Sequence, residues 1–359
     1  MKTSKFVLVT PDYPPARGGV ARYLGNLVSV SGGEIRVIVS ERHPTEGPGK
    51  ISHAKFVGKG WPAWAPLIRV FRSIADEVAV VSHVFPFGTA AWIARKIGGA
   101  EYVILLHGLD VRLAGRNSWK RWLFQRICSS AKQVIANSHA TAEDAERLTG
   151  EKPVILTPGV ERFAVSTRED ARRSLNVDPN QKIVLSVTRL VPRKGIDIAL
   201  RAMSRIQKEE NVEYVILGDG EDFDRLQKTA TEHRTRVRWI RRADDAEKWN
   251  WFAAADVFLL PVRDEGNDVE GFGIVFLEAA LAGVPSVAGK SGGAKEAVVH
   301  DRTGLMVSPM DVGEVTDAVA RLLKDGKLRN QLGTHGRERA EKEFRWEDRW
   351  KTFQKIGRS

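Results

Sequence analysis

The sequence predicts an α/β protein built from two domains. The chain has 359 residues, which is too many for one ordinary core and suits two domains of about 150 to 190 residues each. Short apolar runs typical of buried strands recur along it, followed by loops and then by helical patterns. We place the N-terminal domain at residues 1–165 and the C-terminal domain at residues 166–344.

The strands and helices follow from local patterns. Helices are expected from Val20, at 138–148 before Gly150, at 222–233, at 274–282 before Gly283 and Pro285, and in the terminal segment from 345. The predicted strands of the first domain are 5–10, 35–40, 77–85, 102–106, 134–137 and 154–156, and those of the second are 182–187, 214–217, 237–240, 255–261 and 286–288.

The helix predicted at 274–282 has a start suited to an anion. The first N–H groups of a helix have no internal partner and carry partial positive charge, so they favour a group such as a diphosphate. Gly271 and Gly273 precede the helix and would let that group approach the bare backbone. This stretch is the predicted centre of the functional site.

Two carboxylates frame this stretch. Glu270 precedes the helix, and Glu278 lies eight residues on, within an apolar run where solvation alone does not explain it. A buried carboxylate accepts hydrogen bonds, and the hydroxyl groups of a bound ribose or sugar would supply them. An internal salt bridge would satisfy Glu278 equally well. Both explanations stay open on the sequence.

The motif resembles that of a known enzyme family. Glu-Gly-Phe-Gly-Ile-Val-Phe-Leu-Glu-Ala at 270–279, Gly-Val-Pro at 283–285 and Gly-Gly-Ala-Lys-Glu at 292–296 resemble the retaining nucleotide-sugar glycosyltransferases of family 4. The resemblance covers almost the whole chain. It implies the GT-B fold, with two Rossmann-like parallel-sheet domains facing a central cleft and a terminal helix, about 345–359, that returns to the first domain.

The resemblance also implies roles for particular residues. The residues expected in catalysis are His107, Glu270, Arg189 and Lys194. The residues expected to bind the donor are Gly18, Gly19, Arg242, Phe272, Gly273, Ile274, Val275 and Glu278. Many family members have glycine where Arg241 stands, which weakens any assignment of the base.

Arg189 and Lys194 follow the strand at 182–187, where they could grip a diphosphate from the side opposite the helix start. Charge-assisted contacts of this kind stabilise a leaving group as its charge grows. Two exposed basic residues in a loop are the alternative. We rank Arg193 as the less functional neighbour. Asp222 and Asp224 are interpreted as acids at a helix start rather than as metal ligands.

Positive charge is concentrated in the first half. Residues 1–165 carry 22 Lys and Arg against 13 Asp and Glu, while residues 166–359 carry 34 against 32. This asymmetry suggests an anionic partner such as lipid headgroups, a lipid-linked phosphate or nucleic acid. Residues 59–72 and 112–132 both mix aromatic with basic side chains, as membrane-facing surfaces do. Residues 59–72 would also suit a core-facing helix. No nucleic-acid-binding motif accompanies either stretch, so we expect no nucleic-acid partner.

Other features narrow the setting. Cys128 is the single cysteine, which excludes a disulfide within the chain. The apolar run at 6–9 is short for a signal peptide, and no stretch approaches the roughly 20 apolar residues of a membrane span. We therefore expect a cytoplasmic protein, with contact to the inner face of the membrane as an option.

The sequence thus predicts a retaining hexosyltransferase with a nucleotide-diphosphate sugar as donor and a lipid-linked or glycan acceptor. We expect front-face attack and no cofactor or metal. The motifs favour GDP-mannose, and UDP-glucose or UDP-N-acetylglucosamine is the alternative. A Rossmann oxidoreductase is disfavoured because Gly-x-Gly-x-x-Gly is missing between strand and helix. A non-catalytic basic module binding membrane or nucleic acid would leave Glu270, Glu278, Arg189 and Lys194 unexplained.

Overall fold

The computed structural model describes residues 5–16, 18–161, 166–266 and 268–358. The chain divides into two compact units, residues 1–159 with 344–359 and residues 160–343. The boundary predicted between residues 165 and 166 lies at the end of residues 162–165, which are outside the described residues.

Unit 1 contains seven parallel strands in the order β3-β2-β1-β4-β5-β6-β7. Helices connect most successive strands, as parallel pairing requires. Its elements up to the division are β1 (Phe6–Val9), α1 (Gly19–Val30), β2 (Ile35–Ser40), β3 (Lys50–Ala54), α2 (Pro66–Ser73), β4 (Val78–Val81), α3 (Thr89–Lys96), β5 (Glu101–Leu106), α4 (Leu109–Gly115), α5 (Ser118–Ser130), β6 (Gln133–Ala136), α6 (His139–Thr149) and β7 (Val154–Ile155).

Unit 2 contains six parallel strands in the order β10-β9-β8-β11-β12-β13. Its elements are α7 (Arg168–Ser174), β8 (Lys182–Val187), α8 (Ile196–Glu209), β9 (Val212–Leu217), α9 (Phe223–Glu232), β10 (Val237–Ile240), α10 (Asp245–Ala254), β11 (Val257–Leu260), α11 (Ile274–Leu281), β12 (Ser286–Gly289), α12 (Ala294–Ala297), β13 (Gly304–Val307), α13 (Val312–Lys324) and α14 (Gly326–Glu343). Two parallel sheets with helical connections confirm the predicted α/β fold.

The last helix, α15 (Trp346–Arg358), packs in unit 1 although unit 2 precedes it in sequence. Phe353 is fully buried, and its ring meets that of Phe6 in β1 at 5.2 Å between centroids. Trp346 packs edge-on against Tyr23 of α1. The aromatic side chains that recur at helical spacing in this segment therefore face the core beside β1 and α1.

Two strands, β3 and β13, have no counterpart in the sequence prediction. β3 lies at the edge of its sheet and is only partly buried, with the polar sequence Lys-Ile-Ser-His-Ala. β13 is buried but begins at a glycine and spans four residues. Both lie at the edge of a sheet, and β3 lacks the apolar run of a central parallel strand.

Candidate active site

The strand order of the unit 2 sheet reverses between β8 and β11. From β8 the chain moves outward through β9 to β10, and from β11 it moves the other way through β12 to β13. Ligands of open α/β sheets bind beyond the carboxyl ends of the strands at such a reversal. Arg189 and Lys194 lie in the loop after β8, and Glu270 lies in the loop after β11. The structure therefore brings these predicted residues to one end of the sheet.

Glu270 is buried and joins the two loops by ion pairs. Its Oε2 atom accepts hydrogen bonds from Lys194 Nζ at 2.5 Å and from Arg193 Nη1 at 2.6 Å. Arg193 Nε also lies 2.9 Å from Asp268 Oδ1. One carboxylate thus holds two cations, and the second cation is held in turn by another acid.

The electrostatic balance keeps Glu270 ionised. Burial by itself would raise the pKa of this carboxyl group, but the charges of Lys194 and Arg193 and their hydrogen bonds lower the pKa to about 2. Glu270 is therefore a carboxylate at neutral pH, able to accept but not to donate hydrogen bonds.

Close backbone packing fixes the relative position of the two loops. The Arg263 N–H donates to the Arg193 carbonyl oxygen at 2.8 Å. Gly195 has a φ of +68°, and a Cβ there would stand 2.1 Å from the carbonyl oxygen of Pro261. A side chain at residue 195 would push the loops apart, so glycine is required at this position.

α11 begins as the sequence predicts, at Ile274 after Gly273, whose φ is +85°. The Phe276 N–H donates to the Gly273 carbonyl oxygen, while the N–H groups of Ile274 and Val275 have no acceptor within the helix. Phe272, two residues before α11, is buried. The start of α11 therefore presents amide groups at the end of the sheet where Glu270 lies.

The far end of α11 is held by a charged side chain. Arg337 of α14 donates to the carbonyl oxygens of Leu281 and Ala282 at 3.0 and 2.9 Å. A cation near the last carbonyls of a helix satisfies them and complements its dipole.

Glu278 forms a buried ion pair. Lys248 of α10 donates from Nζ to Glu278 Oε1 at 3.1 Å, and Asp245 lies 3.0 Å from the same nitrogen. Of the two explanations left open by the sequence, the salt bridge is thus present in the fold. The pair engages one of the two oxygens of Glu278, Oε1.

Arg189 and Arg242 are placed differently from this cluster. Arg189 is exposed and its guanidinium has no hydrogen-bond or ion-pair partner among the described residues. Arg242 follows β10, two strands from the reversal, beside Arg241, which is paired with Asp219 at 2.9 Å. Arg242 therefore lies at the outer edge of the sheet, apart from Lys194 and Glu270.

Asp222 and Asp224 stand at the start of α9. Asp222 is buried, and both of its oxygens accept hydrogen bonds from Arg225 at 2.5 and 2.6 Å. Asp224 is exposed in the first turn. Within the described ranges, no three His, Cys, Asp or Glu side chains are grouped so as to hold a metal ion.

In unit 1 the predicted residues follow β1 and β5. Gly18 and Gly19 start α1, and apart from their chain neighbours and the helix's own backbone no atom of the described residues lies within 4 Å of the position where a Cβ would stand on either. The amide end of α1 is thus open to a ligand. His107 follows β5, which neighbours β4, the strand next to β1.

His107 is held by contacts to its backbone and to its ring. Its backbone N–H donates to Asp110 Oδ1 at 3.2 Å, and Tyr23 packs edge-on against its ring at 5.5 Å. Burial, and then the charge of His83, lower the pKa of His107 to about 3. The ring is neutral at physiological pH, and its buried Nε2 atom has no partner in the described part of the chain.

Three features of these sites escaped sequence reasoning. Arg193, ranked low from the sequence, bonds directly to Glu270, and Lys248 bonds to Glu278. Asp12 and His83, which follow β1 and β4, lie together, with 3.2 Å between Asp12 Oδ2 and His83 Nε2. The position of Arg193 beside Lys194 was the only signal available. The partners of Glu278 and Asp12 are distant in sequence and became neighbours only through the fold.

Comparison with known proteins adds the family. Residues 167–339 match the model of glycosyl transferases group 1, and residues 17–162 match that of glycosyltransferase family 4. A GDP-mannose-dependent α-(1-6)-phosphatidylinositol monomannoside mannosyltransferase of Mycobacterium tuberculosis is 32% identical over 96% of this chain and 95% of its own length. The chain belongs to glycosyltransferase family 4. It is a hexosyltransferase.

A second relative of this family 4 glycosyltransferase is a GDP-mannose-dependent monoacylated α-(1-6)-phosphatidylinositol monomannoside mannosyltransferase of Corynebacterium glutamicum. It is 30% identical over 96% of this chain and 95% of its own length. The solved structure of HepE from Anabaena in complex with UDP and glucose matches with a TM-score of 0.81 at 20% identity, covering 98% of each chain. This likeness confirms the GT-B fold of the glycosyltransferase.

The length and hydropathy of the helices bear on whether any of them could span a bilayer. Across the described ranges, every helix is too short or too polar to cross a membrane.

Substitutions in the Lys248–Glu278 pair can separate a structural role of Glu278 from a functional one. Lys248→Met should lower the free energy of unfolding by about 3 kcal/mol, because it removes a charged partner from a buried carboxylate. Lys248→Met with Glu278→Leu should regain most of that loss, since a buried pair can be replaced by apolar groups. Turnover in the double variant should stay below that of the wild type, because the carboxylate of Glu278 is absent. Urea unfolding and a sugar-transfer assay measure the two quantities.

Lys228→Met is the matched control, because Lys228 forms an exposed pair with Glu232 at 3.9 Å. We expect a change below about 1 kcal/mol. Wild-type turnover in the double variant would show that Glu278 serves the fold alone.

Proposed function

We propose that this enzyme transfers mannose from GDP-mannose to a hydroxyl group of a phosphatidylinositol mannoside or a related lipid, with retention at the sugar carbon. The two relatives named for that reaction support the proposal, because each is at least 30% identical and aligns with 96% of this chain. The charge and geometry of the two sheet ends support it further.

Unit 2 is proposed to hold the donor. The open amides of α11 and the ammonium of Lys194 would bind the diphosphate, and exposed Arg189 would close on it as a mobile cation. Glu270 would accept a hydrogen bond from the sugar, and Glu278 one from the ribose. Each contact uses a group whose charge suits it, since diphosphate needs donors and hydroxyl groups need acceptors.

The chemistry proposed is front-face displacement. The bond between the sugar carbon and the diphosphate oxygen breaks, and the acceptor hydroxyl forms its bond on the same face. The departing phosphate oxygen takes the hydroxyl proton. The enzyme then acts by electrostatic stabilisation, in which Lys194, Arg189 and the amides of α11 meet the charge that grows on the leaving group. No carboxylate is required as a nucleophile.

Unit 1 is proposed to hold the acceptor, and His107 is proposed to contact a sugar ring. A neutral imidazole with an unpartnered Nε2 atom can exchange hydrogen bonds with a hydroxyl group without repelling the donor phosphates. Gly18 and Gly19 would let phosphate or sugar approach the start of α1.

The proposal predicts the effect of Lys194→Ala. Turnover of GDP-mannose should fall by about 10² to 10³, the usual cost of losing one donor to transition-state charge. GDP should raise the unfolding temperature of the wild type, because a ligand at a hundred times its Kd adds about 2.7 kcal/mol. Radiolabelled sugar transfer and differential scanning fluorimetry measure these effects.

Lys208→Ala, an exposed lysine of α8, is the control and should behave as wild type. Stabilisation by UDP rather than GDP would replace the mannose donor with UDP-glucose or UDP-N-acetylglucosamine. Stabilisation by NAD or an oligonucleotide alone would overturn the proposal, as would wild-type turnover by Lys194→Ala.

Metal is proposed to be unnecessary, because Lys194 and Arg189 already offer positive charge to the diphosphate. Turnover should therefore be unchanged after dialysis against EDTA. Loss of activity that manganese restores would contradict this part of the proposal and would direct attention to Asp224.

We also propose that an aromatic and basic surface of unit 1 contacts anionic lipid headgroups. Trp119 and Trp122 of α5 are 60% and 49% exposed. Lys120 stacks on Trp119 at 5.6 Å, and Arg126 stacks on Trp122 at 5.7 Å. Indole rings beside cations suit the headgroup region of a bilayer, because this region borders apolar acyl chains on one side and charged phosphates on the other.

The second candidate stretch, residues 59–72, has a different character. Leu67, Val70 and Phe71 of α2 are buried in the core, as the core-facing alternative requires. Trp61 precedes the helix and is 96% exposed. The stretch therefore offers a single exposed aromatic side chain.

The two surfaces can be distinguished by vesicle binding. Trp119→Ser with Trp122→Ser should weaken binding to vesicles of about 30% anionic lipid by about tenfold or more, and salt should weaken wild-type binding. Trp61→Ser is the matched control and should bind as wild type. If Trp61→Ser loses binding instead, the contact is through residues 59–72. Equal binding of wild type to neutral and anionic vesicles would contradict the proposal.

A further inference from the structure

Four polar side chains form a hydrogen-bonded chain where the strand order of the unit 1 sheet reverses. The reversal lies between β1 and β4. Thr10 and Asp12 follow β1, and Ser82 and His83 follow β4. The position corresponds to that of Lys194 and Glu270 in the other sheet, at the site where this architecture binds ligands.

The donor and acceptor in each of these hydrogen bonds can be assigned, because each hydroxyl group has one proton to donate. Thr10 donates its hydroxyl proton to the carbonyl oxygen of Asp12 at 3.1 Å, so it accepts from Ser82 Oγ at 2.8 Å. Ser82 has then used its proton and accepts from His83 Nδ1 at 2.8 Å. His83 Nε2 lies 3.2 Å from Asp12 Oδ2. His83 Nε2 is thus directed at the carboxylate of Asp12 and holds that side chain in place.

Asp12 is fixed but still accessible. Its carbonyl, amide and Oδ2 atoms are engaged within the chain of bonds, whereas its side chain is 49% exposed and Oδ1 accepts no hydrogen bond from the described residues. The hydrogen bond from His83 lowers the pKa of Asp12, which keeps Oδ1 an acceptor.

A second unsatisfied group lies alongside. The rings of His83 and His107 are 6.5 Å apart, and His107 Nε2 is buried without a partner in the described ranges. Asp12 follows β1 and His107 follows β5, with β4 and His83 between them, so the carboxylate oxygen and the neutral imidazole nitrogen offer two hydrogen-bonding points at one end of the sheet.

The charges select the ligand class. The lowered pKa of Asp12 keeps its side chain a carboxylate, so Oδ1 would repel a phosphate. A hydroxyl group, by contrast, donates to a carboxylate in a strong charge-assisted hydrogen bond. The chemistry therefore favours the ring hydroxyls of a sugar or cyclitol over an anionic group.

Resting on the proposed transferase function, we propose that Asp12, held in place by His83, binds a ring hydroxyl of the acceptor and helps to select it. Ser82 and Thr10 act through His83 as positioning residues. This assigns an acceptor site to unit 1 that is separate in sequence from the donor residues of unit 2.

The test uses methyl α-mannoside as a soluble acceptor probe, together with its singly deoxygenated forms. Asp12→Asn should raise the KM for methyl α-mannoside about tenfold or more, because a charged acceptor is lost, while the KM for GDP-mannose shifts less than about twofold. The wild type should discriminate against one deoxygenated form, and Asp12→Asn should lose that discrimination. His83→Gln should produce a smaller rise. Asp76→Asn, an exposed acid outside the site, is the control.

Binding of methyl α-mannoside is measured in parallel by saturation-transfer NMR without donor, so the result does not depend on GDP-mannose. Absence of transfer with GDP-mannose, together with binding that Asp12→Asn weakens, would sink the mannosyl assignment and support the acceptor site. Unchanged binding and unchanged acceptor KM in Asp12→Asn would overturn the inference. A fall in kcat alone, with discrimination retained, would also overturn it. Circular dichroism melting verifies that the variants are folded.

Discussion

The buried carboxylate of Glu270 is the interaction on which the unit 2 site depends. Glu270 lies in the loop after β11 and accepts hydrogen bonds from Lys194 and Arg193, which lie in the loop after β8. Removing an ion from water is costly, and here two cations offset that cost, while the backbone hydrogen bond from Arg263 to Arg193 holds the two loops together. The same contacts hold Lys194 in a definite place, so stability and the electrostatics of the site have one origin.

The two sheets have related contacts between the loops at the point where their strand order reverses. In each, the strand order reverses at one pair of neighbouring strands, and a side-chain contact links the loops that leave them: Glu270 with Lys194 in unit 2, and Asp12 with His83 in unit 1. The polarity differs in a way that suits different ligands. Unit 2 adds exposed Arg189 and the amides of α11, which favour an anion, whereas unit 1 presents the carboxylate of Asp12 near the neutral imidazole of His107, which favours hydroxyl groups.

Much of the architecture could be predicted because its signals are local. Apolar runs between turn residues gave the central strands, and the glycines around residue 272 gave the start of α11, which begins at Ile274 as predicted. β3 was not predicted because it is a half-exposed edge strand of mixed polarity. The roles assigned to the predicted site residues stay predictions, although the structure groups Glu270 with Lys194 and separates Arg242 from them.

The sequence by itself determined the α/β class, the helix start that could accept an anion, and the family motif that contains Glu270 and Glu278, because each depends on residues close together in the chain. Only the tertiary structure decided which partners satisfy the buried charges. Lys248 and Glu278 are 30 residues apart, and Asp12 and His83 are 71 apart. Such pairs form because parallel strands bring distant loops to one end of a sheet, and no local pattern encodes that neighbourhood.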